Sequence, residues 1–184
     1  MAERPALSII IVNYNTGFHL TRCVRSLHEP EPGIPFEVIV VDNASRDGGI
    51  TKLRKVFPDA IILCNQQNLG FAAACNQGIA RARGKNILLL NPDTIVSPRA
   101  LEDTLNFLNN TPEAGIIGCC IVDGKGALQS SHWTFPTSWD YLFDSLFLTK
   151  LFPGSRLFGR FHLTYTEFKD PAEVDMVQGS LPDV

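Results

Sequence analysis

The sequence has no strong excess of charge of either sign. Its 184 residues include 16 lysines and arginines and 19 aspartates and glutamates, which gives a formal net charge of −3 at pH 7. The chain contains no basic run and no patch in which basic and aromatic residues alternate, whereas nucleic-acid-binding domains usually carry such a patch. The composition therefore predicts that the chain has no nucleic-acid partner.

The sequence also lacks a long apolar stretch. The apolar run at Leu7–Val12 is too short for the central segment of a signal peptide, and no other run is long enough to cross a bilayer. We therefore expect a cytoplasmic protein. Residues 133–161 are rich in aromatic residues and leucine, which leaves open a peripheral association with the inner face of the membrane.

The cysteines form neither a disulfide pattern nor a metal-binding pattern. There are five of them, and none lies in a Cys-x-x-Cys pair. Disulfide frameworks use an even number of cysteines, and structural zinc sites use closely spaced pairs. The sequence therefore predicts that all five are small packing residues.

Glycine-rich phosphate loops are missing as well. The turn after the first predicted strand contains only Gly17, whereas dinucleotide-binding folds need Gly-x-Gly-x-x-Gly at that place. The Gly-x-x-x-x-Gly-Lys-Ser/Thr loop is also absent from the sequence. These absences count against a dinucleotide-dependent enzyme and against an ATPase or GTPase.

What the sequence does contain is a regular alternation of short apolar runs and amphipathic segments. This alternation predicts an α/β fold with an open, mostly parallel sheet flanked by helices. The predicted strands are Leu7–Val12, Phe36–Val41, Ala60–Cys64, Ile87–Leu90 and Gly115–Val122. The predicted helices include Phe71–Arg83, with Gly84 as its C-terminal glycine, and Pro98–Asn109, with Ser97 as its N-cap.

Polar side chains follow four of these strands. In open α/β sheets, ligands bind beyond the carboxyl ends of the strands. Asp42 follows the second strand, where a carboxylate can hold a ribose hydroxyl. Asp93 follows the fourth strand beside Asn91, and one or two carboxylates with substrate phosphates are enough to bind Mg²⁺. Each aspartate alone also fits a simple role in a turn, but four polar strand ends on one edge favour a binding site.

Four motifs occur in order along the predicted strand ends. They are Ile10–Asn15 (IIVNYN), Val40–Asp47 (VVDNASRD), Asn68–Asn76 (NLGFAAACN) and Leu89–Asp93 (LLNPD). In this order and at this spacing they resemble the motifs of inverting family 2 glycosyltransferases with the GT-A fold, and most of all those of rhamnosyltransferase-like members. Two later segments, Leu151–Arg160 and Glu173–Gly179, resemble the same subgroup.

The resemblance implies a nucleotide pocket at the ends of the first three strands. Asn13 and Tyr14 would border this pocket, and Asp42 would form a hydrogen bond with the base or the ribose. Asn68 and Gly70 would shape the pocket floor. Asn76 would support that floor from the following helix.

The resemblance also implies a divalent cation, Mg²⁺ or Mn²⁺. Asp93 would fill the metal-binding position of the family's Asp-x-Asp motif. Asn91 stands at the first position of that motif and would offer an amide oxygen in place of a carboxylate. An uncharged ligand at this position predicts a modest affinity for the metal.

The implied reaction transfers a sugar, with rhamnose as one candidate, from a nucleoside-diphosphate sugar to a hydroxyl of a glycan or lipid-linked acceptor in cell-envelope synthesis. Residues 1–122 would form the donor-binding domain, and residues 123–184 would begin an acceptor-side region. The family's general base lies downstream of the segment that matches Val174–Gly179. We therefore expect the base beyond Val184, and a chain that is truncated at its C-terminus and catalytically incomplete.

Three alternatives to this enzyme remain open from the sequence. The first is a sugar-phosphate nucleotidyltransferase, which usually has a glycine-rich, basic loop where this chain has Asn13–Leu20. The second is a catalytically inactive nucleotide-sugar-binding fragment or paralogue. The third is a structural α/β domain that binds no ligand.

Overall fold

The computed structural model describes residues 4–29, 32–126, 128–129, 131–165 and 170–177. The chain divides into two compact units between Glu113 and Ala114. The division at residue 122 that the sequence suggests concerns the roles of the two parts, and it stays a prediction. Within the described ranges, no helix is both long enough and apolar enough to cross a membrane.

The first unit contains a four-stranded parallel sheet flanked by helices, which confirms the predicted α/β architecture. The strand order is β3-β2-β1-β4, so β1 lies between β2 and β4. The strands are β1 (Leu7–Asn13), β2 (Phe36–Asp42), β3 (Ile61–Cys64) and β4 (Asn86–Leu90), and the helices are α1 (Gly17–Ser26), α2 (Gly49–Val56), α3 (Phe71–Arg81) and α4 (Ala100–Asn110).

Apolar clusters lie on both faces of the sheet around β1 and β2, whereas Ile87 and Leu89 of β4 are nearly half exposed. Successive side chains of a strand point to opposite faces, so Ile9 and Ile10 of β1 enter two different clusters. The first cluster includes apolar residues of α1, α2 and α4, whereas the second includes Ala74 of α3. The apolar side chains of α1, Leu20, Cys23 and Val24, are buried, as is Leu27 directly after the helix.

Helix α3 ends at Arg81, two residues before the predicted end, and Ala82 is extended. The chain leaves the helix because the backbone N–H and the guanidinium of Arg83 both donate to the carboxylate of Glu37, at 2.6 Å and 2.9 Å. Burial alone would raise the pKa of Glu37, but hydrogen bonds from Ser8 and Arg83 outweigh it and lower the pKa.

Gly84 has a different role from the predicted helix-capping glycine. Its N–H donates to the hydroxyl of Ser8 at 2.8 Å. A Cβ at this position would lie 2.6 Å from the backbone nitrogen of Ser8. Gly84 is therefore needed for a close approach to β1.

Helix α4 begins later than predicted, at Ala100, with Arg99 as its N-cap in the left-handed region (φ 67°). The predicted N-cap, Ser97, instead lies in the preceding turn, where its carbonyl accepts a hydrogen bond from the N–H of Ala100 at 3.1 Å. The chain before this turn is held against α1, because the N–H of Val96 donates to the hydroxyl of Ser26 at 3.0 Å. This tertiary contact displaces the helix start.

The predicted fifth strand, Gly115–Val122, is wrong as a member of the main sheet. Only Ile121–Val122 is a strand, and it pairs antiparallel with a short strand of the second unit. Gly118 lies so close to Val177 that a Cβ would meet its side chain at 2.8 Å, and glycine weakens a strand interior. The elements of the second unit are β5 (Ile121–Val122), β6 (Leu128–Gln129), β7 (His132–Trp133), α5 (Ser138–Ser145), α6 (Leu148–Leu151) and β8 (Met176–Val177).

The prediction that all five cysteines pack in the interior is confirmed for two of them and wrong for three. Cys23 and Cys75 are buried, whereas Cys64, Cys119 and Cys120 are exposed. Cys64 ends β3, an edge strand of the described sheet, and the other two belong to the segment that does not join the sheet. None of the five forms a disulfide.

Candidate functional site

The carboxyl ends of β1 and β2 are joined by the side chain of Asn13. This residue is 0% exposed and lies opposite Asp42, which is 4% exposed. Its Nδ2 donates to Asp42 Oδ1 at 2.7 Å and to Ser45 Oγ at 2.9 Å, and its Oδ1 accepts from Thr16 Oγ1 at 2.7 Å. The second oxygen of Asp42 accepts from the N–H of Ser45 at 3.1 Å. Because these buried groups all have partners, the two strand ends are fixed relative to each other.

Tyr14 is held outward by contacts on both sides of it. The next residue, Asn15, has a left-handed backbone (φ 54°), its N–H donates to Ser45 Oγ at 2.9 Å, and its Oδ1 accepts from the N–H of Arg46 at 2.9 Å. The ring of Tyr14 is 51% exposed. The site therefore presents an aromatic ring from a rigid backbone beside the buried Asn13.

Helices α1 and α2 begin at one shared carboxylate, that of Asp47. Its two oxygens accept from the N–H of Gly17 at 2.7 Å and from the N–H of Gly49 at 2.9 Å. These bonds, that of Gly17 first, lower the pKa of Asp47. Helix N-termini attract anions, so Asp47 occupies two positions that a phosphate would otherwise favour.

A set of amide side chains lies beneath the turn that leads into α3. Asn65 and Gln77 exchange two hydrogen bonds of 2.9 Å and 3.1 Å, and Asn65 also donates to Asn43 Oδ1 at 2.9 Å. Asn43 in turn donates to the carbonyl of Gly70 at 3.2 Å. Gly70 has a φ of 81°, and its N–H donates to Asn68 Oδ1 at 2.9 Å. The amides thus fix the turn that carries two of the predicted floor residues, Asn68 and Gly70.

The end of β4 carries an unusual oxygen, Oδ1 of Asp93. This oxygen is buried and has no hydrogen-bond partner. Among the residues that the structure describes, no other buried side-chain oxygen or nitrogen lacks one. The nearby thiol of Cys23 donates to the carbonyl of Asn91 at 3.5 Å. Burial, with a smaller contribution from the Asp93 charge, raises the pKa of Cys23 to about 12, so this thiol stays protonated. A buried carboxylate oxygen without a partner is costly, and a bound cation would supply the missing partner.

The residues at this strand end fit a cation that shares its coordination with a substrate. No cluster of three or more His, Cys, Asp or Glu side chains occurs in the described part of the chain, so a metal site built only from such residues is not found there. Mg²⁺ is commonly held by one or two carboxylates together with phosphate oxygens and water. Asp93 supplies one such oxygen, and Asn91 precedes it by two residues.

The family model for glycosyl transferase family 2 matches residues 8–164. The chain belongs to glycosyl transferase family 2. The resemblance seen in the motifs is thereby confirmed at the level of the family.

Individual relatives of this family 2 member share the fold or part of the sequence. An N-acetylglucosaminyl-diphospho-decaprenol L-rhamnosyltransferase of Mycobacterium tuberculosis is 28% identical over 142 residues, which are 71% of this chain and 46% of that protein. S. aureus TarS in complex with UDP has a TM-score of 0.57 at 25% identity, over 68% of this chain and 38% of that chain. The same protein in complex with UDP-GlcNAc gives a TM-score of 0.55.

A more distant structure has the same fold. The mannosyltransferase PcManGT from Pyrobaculum calidifontis, in complex with GDP-Man and Mn²⁺, has a TM-score of 0.51 at 23% identity, over 67% of this chain and 37% of that chain. These neighbours confirm the GT-A-like fold of the family 2 member. The chain spans less than half the length of the first curated relatives it matches, 38% of one and 46% of another.

The structure brings several of the predicted site residues together. Asn13 contacts Asp42 directly, Asn68 contacts Gly70 directly, and Asn43 links the two strand ends to Gly70. The end of β4, with its Asp93, lies on the same edge because β4 is the neighbour of β1. Asn76 is exposed, whereas its neighbour Gln77 makes the supporting contact.

The sequence alone assigns no role to Ser45, Asp47, Asn65 or Gln77. The first three belong to the polar segments that follow predicted strands, and that position is the signal that marks them. Gln77 carries no comparable signal, because a glutamine on a helix is usually a solvent-exposed residue.

Proposed function

We propose that this family 2 member binds a nucleoside-diphosphate sugar as the donor in a reaction that transfers the sugar to an acceptor hydroxyl. The observation that carries the proposal is the partnerless buried oxygen of Asp93, on the sheet edge where Asn13 and Asp42 meet. A divalent cation that accompanies an anionic diphosphate would give that oxygen its missing partner.

The relatives support the class of donor. The complexes of TarS contain UDP and UDP-GlcNAc, and the mycobacterial relative is named for rhamnosyl transfer to a decaprenol-linked acceptor. We propose a uridine or thymidine diphosphate sugar as the donor, with rhamnose as one candidate, and a glycan or lipid-linked acceptor of the cell envelope. Residues 1–122 hold the donor in this proposal, and residues 123–184 begin the acceptor side.

The nucleoside is assigned to the ends of β1 to β3. The exposed ring of Tyr14 offers a stacking surface, and stacking of a base on an aromatic ring is worth about 1–3 kcal/mol. Asp42 accepts a hydrogen bond from the nucleoside in addition to those from Asn13 and Ser45, since a carboxylate has about four lone-pair sites. Asn68 and Gly70 shape the floor beneath it.

Asp93 and Asn91 are the residues assigned to the cation, Mg²⁺ or Mn²⁺. If held there, the cation would supply Lewis-acid stabilisation of the charge that develops on the departing diphosphate. The protein's contribution is to hold one carboxylate oxygen in a buried position, where its interactions are screened less than in water. No residue of this chain is assigned as the general base.

The test of the proposal is a calorimetric titration of the chain with UDP and with ADP, each with and without Mn²⁺. We expect UDP to bind, to bind more tightly with Mn²⁺, and to bind more tightly than ADP. A chain that is folded by circular dichroism but binds neither nucleotide under any of these conditions contradicts the proposal.

Replacement of Asp42 tests the nucleoside assignment. Asp42→Ala should weaken UDP and UDP-GlcNAc by the same factor, roughly tenfold or more, because a hydrogen bond to a charged group contributes about 1.5–3 kcal/mol. Both affinities are measured by calorimetry. Selective weakening of the sugar-linked form would show that Asp42 reads the sugar.

A matched variant separates this direct role from a scaffold role. Ser45→Ala removes another partner of the Asn13 amide but leaves the Asp42 carboxylate in place. We expect it to affect UDP affinity less than Asp42→Ala does. Equal losses in the two variants would mean that Asp42 acts through the scaffold.

A further inference from the structure

The second unit exposes a concentrated apolar surface, which we name the α5–α6 surface. Single exposed apolar side chains are ordinary in proteins, whereas a contiguous group of them indicates an interaction site. Each of its members is at least 44% exposed. They are Trp139, Tyr141, Leu142, Leu146, Phe147, Leu151, Phe152 and Leu157.

The exposed residues rest on a packed aromatic base. Trp139 stacks on Phe143 with ring centroids 6.3 Å apart, Phe143 meets Phe158 edge to face at 5.1 Å, and Phe158 contacts Phe152 at 5.7 Å. Trp139 and Phe152, at the two ends of this series, remain more than half exposed. A cavity of about 280 Å³ beside Trp139, Phe143 and Leu157 makes the surface uneven.

The acidic residues of α5 are committed to contacts within the unit. Asp140 accepts from the guanidinium of Arg160 at 2.8 Å and from Thr137 at 2.6 Å. Burial alone would raise the pKa of Asp140, but the hydrogen bonds from Arg160 and Thr137 outweigh it and lower the pKa. Asp144 likewise bonds to Thr149 at 2.6 Å and to His162 at 2.8 Å.

Two cationic side chains adjoin members of this surface in the sequence, since Lys150 precedes Leu151 and Arg156 precedes Leu157. The ammonium of Lys150 lies 5.7 Å from the ring centre of Phe147, and the guanidinium of Arg156 lies 6.0 Å from that of Tyr165. Both side chains are exposed, and neither forms an ion pair with any part of the chain that the structure describes. Among the described residues, the α5–α6 surface therefore combines apolar and aromatic groups with two cationic side chains that form no ion pair.

We propose that the α5–α6 surface binds a lipid membrane that carries anionic headgroups. Aromatic residues with a polar edge, such as Trp139 and Tyr141, favour the boundary between headgroups and acyl chains. Leu146, Phe147 and Leu151 enter the acyl region, while Lys150 and the nearby Arg156 contact anionic headgroups. The proposal is independent of the donor site, since none of these residues takes part in it.

The charge pattern favours lipid over a second copy of the chain. A symmetric dimer through this surface would bring the same patch, with Lys150 and Arg156, against itself, and like charges brought together in an interface are unfavourable. An anionic bilayer meets the same cations with opposite charge.

The test is flotation of the full chain with vesicles of phosphatidylcholine alone and vesicles of equal parts phosphatidylcholine and phosphatidylglycerol. We expect binding to the mixed vesicles, weaker binding to the neutral ones, and a decrease with added salt. The apolar variant combines Phe147→Asn with Leu151→Ser, because Asn tolerates the left-handed backbone of residue 147 (φ 56°). It should lower the vesicle partition coefficient roughly tenfold or more.

Matched controls make the same kinds of substitution on the first unit, away from the α5–α6 surface. Phe107→Asn with Val56→Ser alters two partly exposed apolar residues of the first unit, and it should leave vesicle binding unchanged. Lys150→Glu with Arg156→Glu should remove the preference for anionic vesicles, whereas Lys52→Glu with Lys55→Glu on α2 should keep it. UDP titration of each variant serves as the folding control and should give the wild-type affinity wherever the wild type binds UDP.

Three outcomes would overturn the proposal. The first is the absence of binding to either kind of vesicle by a folded chain. The second is vesicle binding that the Phe147 and Leu151 pair does not affect. The third is self-association in sedimentation velocity that this pair abolishes, without vesicle binding, because the occupant is then a second copy of the chain. A failure of UDP binding together with intact vesicle binding would contradict the donor-site proposal alone.

Discussion

Asp93→Asn should abolish most metal-dependent nucleotide affinity and, in a form of the protein that transfers sugar, lower the rate on the order of a hundredfold. Removal of one preorganised electrostatic partner of a developing charge typically has an effect of that size. The substitution keeps the shape of the side chain and removes the charge that would hold the cation. Calorimetric titration with UDP in the presence and absence of Mn²⁺ measures the change directly.

Stability measurements distinguish this effect from misfolding. Oδ1 of Asp93 is buried without a partner, so neutralising the group removes an unfavourable burial of charge. Asp93→Asn should therefore unfold at the same temperature as the wild type or at a higher one when no metal is present. Asp59→Asn, at an exposed turn before β3, is the matched control and should leave UDP affinity unchanged. If Asp93→Asn still bound UDP more tightly with Mn²⁺ than without it, the metal assignment would be wrong.

Gly17→Ala should destabilise the first unit strongly. A Cβ on Gly17 would collide with the Cα of Gly49, where α1 and α2 begin. Because the obstacle is backbone, one of the two helices must move. Overpacking of this kind costs about 1–3 kcal/mol and occasionally more. Chemical denaturation of the wild type and the variant measures the loss in the free energy of unfolding.

The same substitution should also weaken UDP binding, since the N–H of Gly17 donates to Asp47 and the adjoining turn carries Tyr14. Gly49→Ala should reproduce both effects from the other side of the contact. Gly124→Ala, at a position with no atom within 4 Å of the added Cβ, should change stability by less than about 1 kcal/mol. Wild-type stability in Gly17→Ala would show that the two helices can separate without cost.

The strands and the helices that cover them could be predicted because apolar periodicity reports burial. The first strand, predicted as Leu7–Val12, is observed as Leu7–Asn13. Gly115–Val122 shows the limit of the same signal. An apolar run indicates that a segment avoids water, but it does not say which strand will pair with it, and here most of the run joins no strand.

The end of α3 and the start of α4 differ from the prediction for a related reason. Arg83 leaves α3 to meet Glu37, and Ser97 precedes α4 because Val96 is held by Ser26. Each partner lies at least 46 residues away in the sequence. Local capping preferences cannot include such long-range contacts.

The sequence predicts where the candidate site lies, but it does not predict the hydrogen bonds within the site. Asp42 and Asp93 were predicted because both come after an apolar run that reads as a strand. The bonds that hold them could not be read from the sequence, because the same amides and hydroxyls would also be ordinary turn residues. The α5–α6 surface shows the converse case, since its composition was evident but its exposure is a property of the folded unit.

The side-chain network beneath the proposed donor site has a consequence for the pH dependence of binding. Its linking side chains, Asn13, Asn43, Asn65 and Gln77, are amides, which have no proton to gain or lose near neutral pH. A change of pH therefore leaves these contacts in place. The pH dependence of nucleotide affinity should therefore report on carboxylates and on the phosphates of the ligand. Its slope gives the number of protons taken up or released on binding.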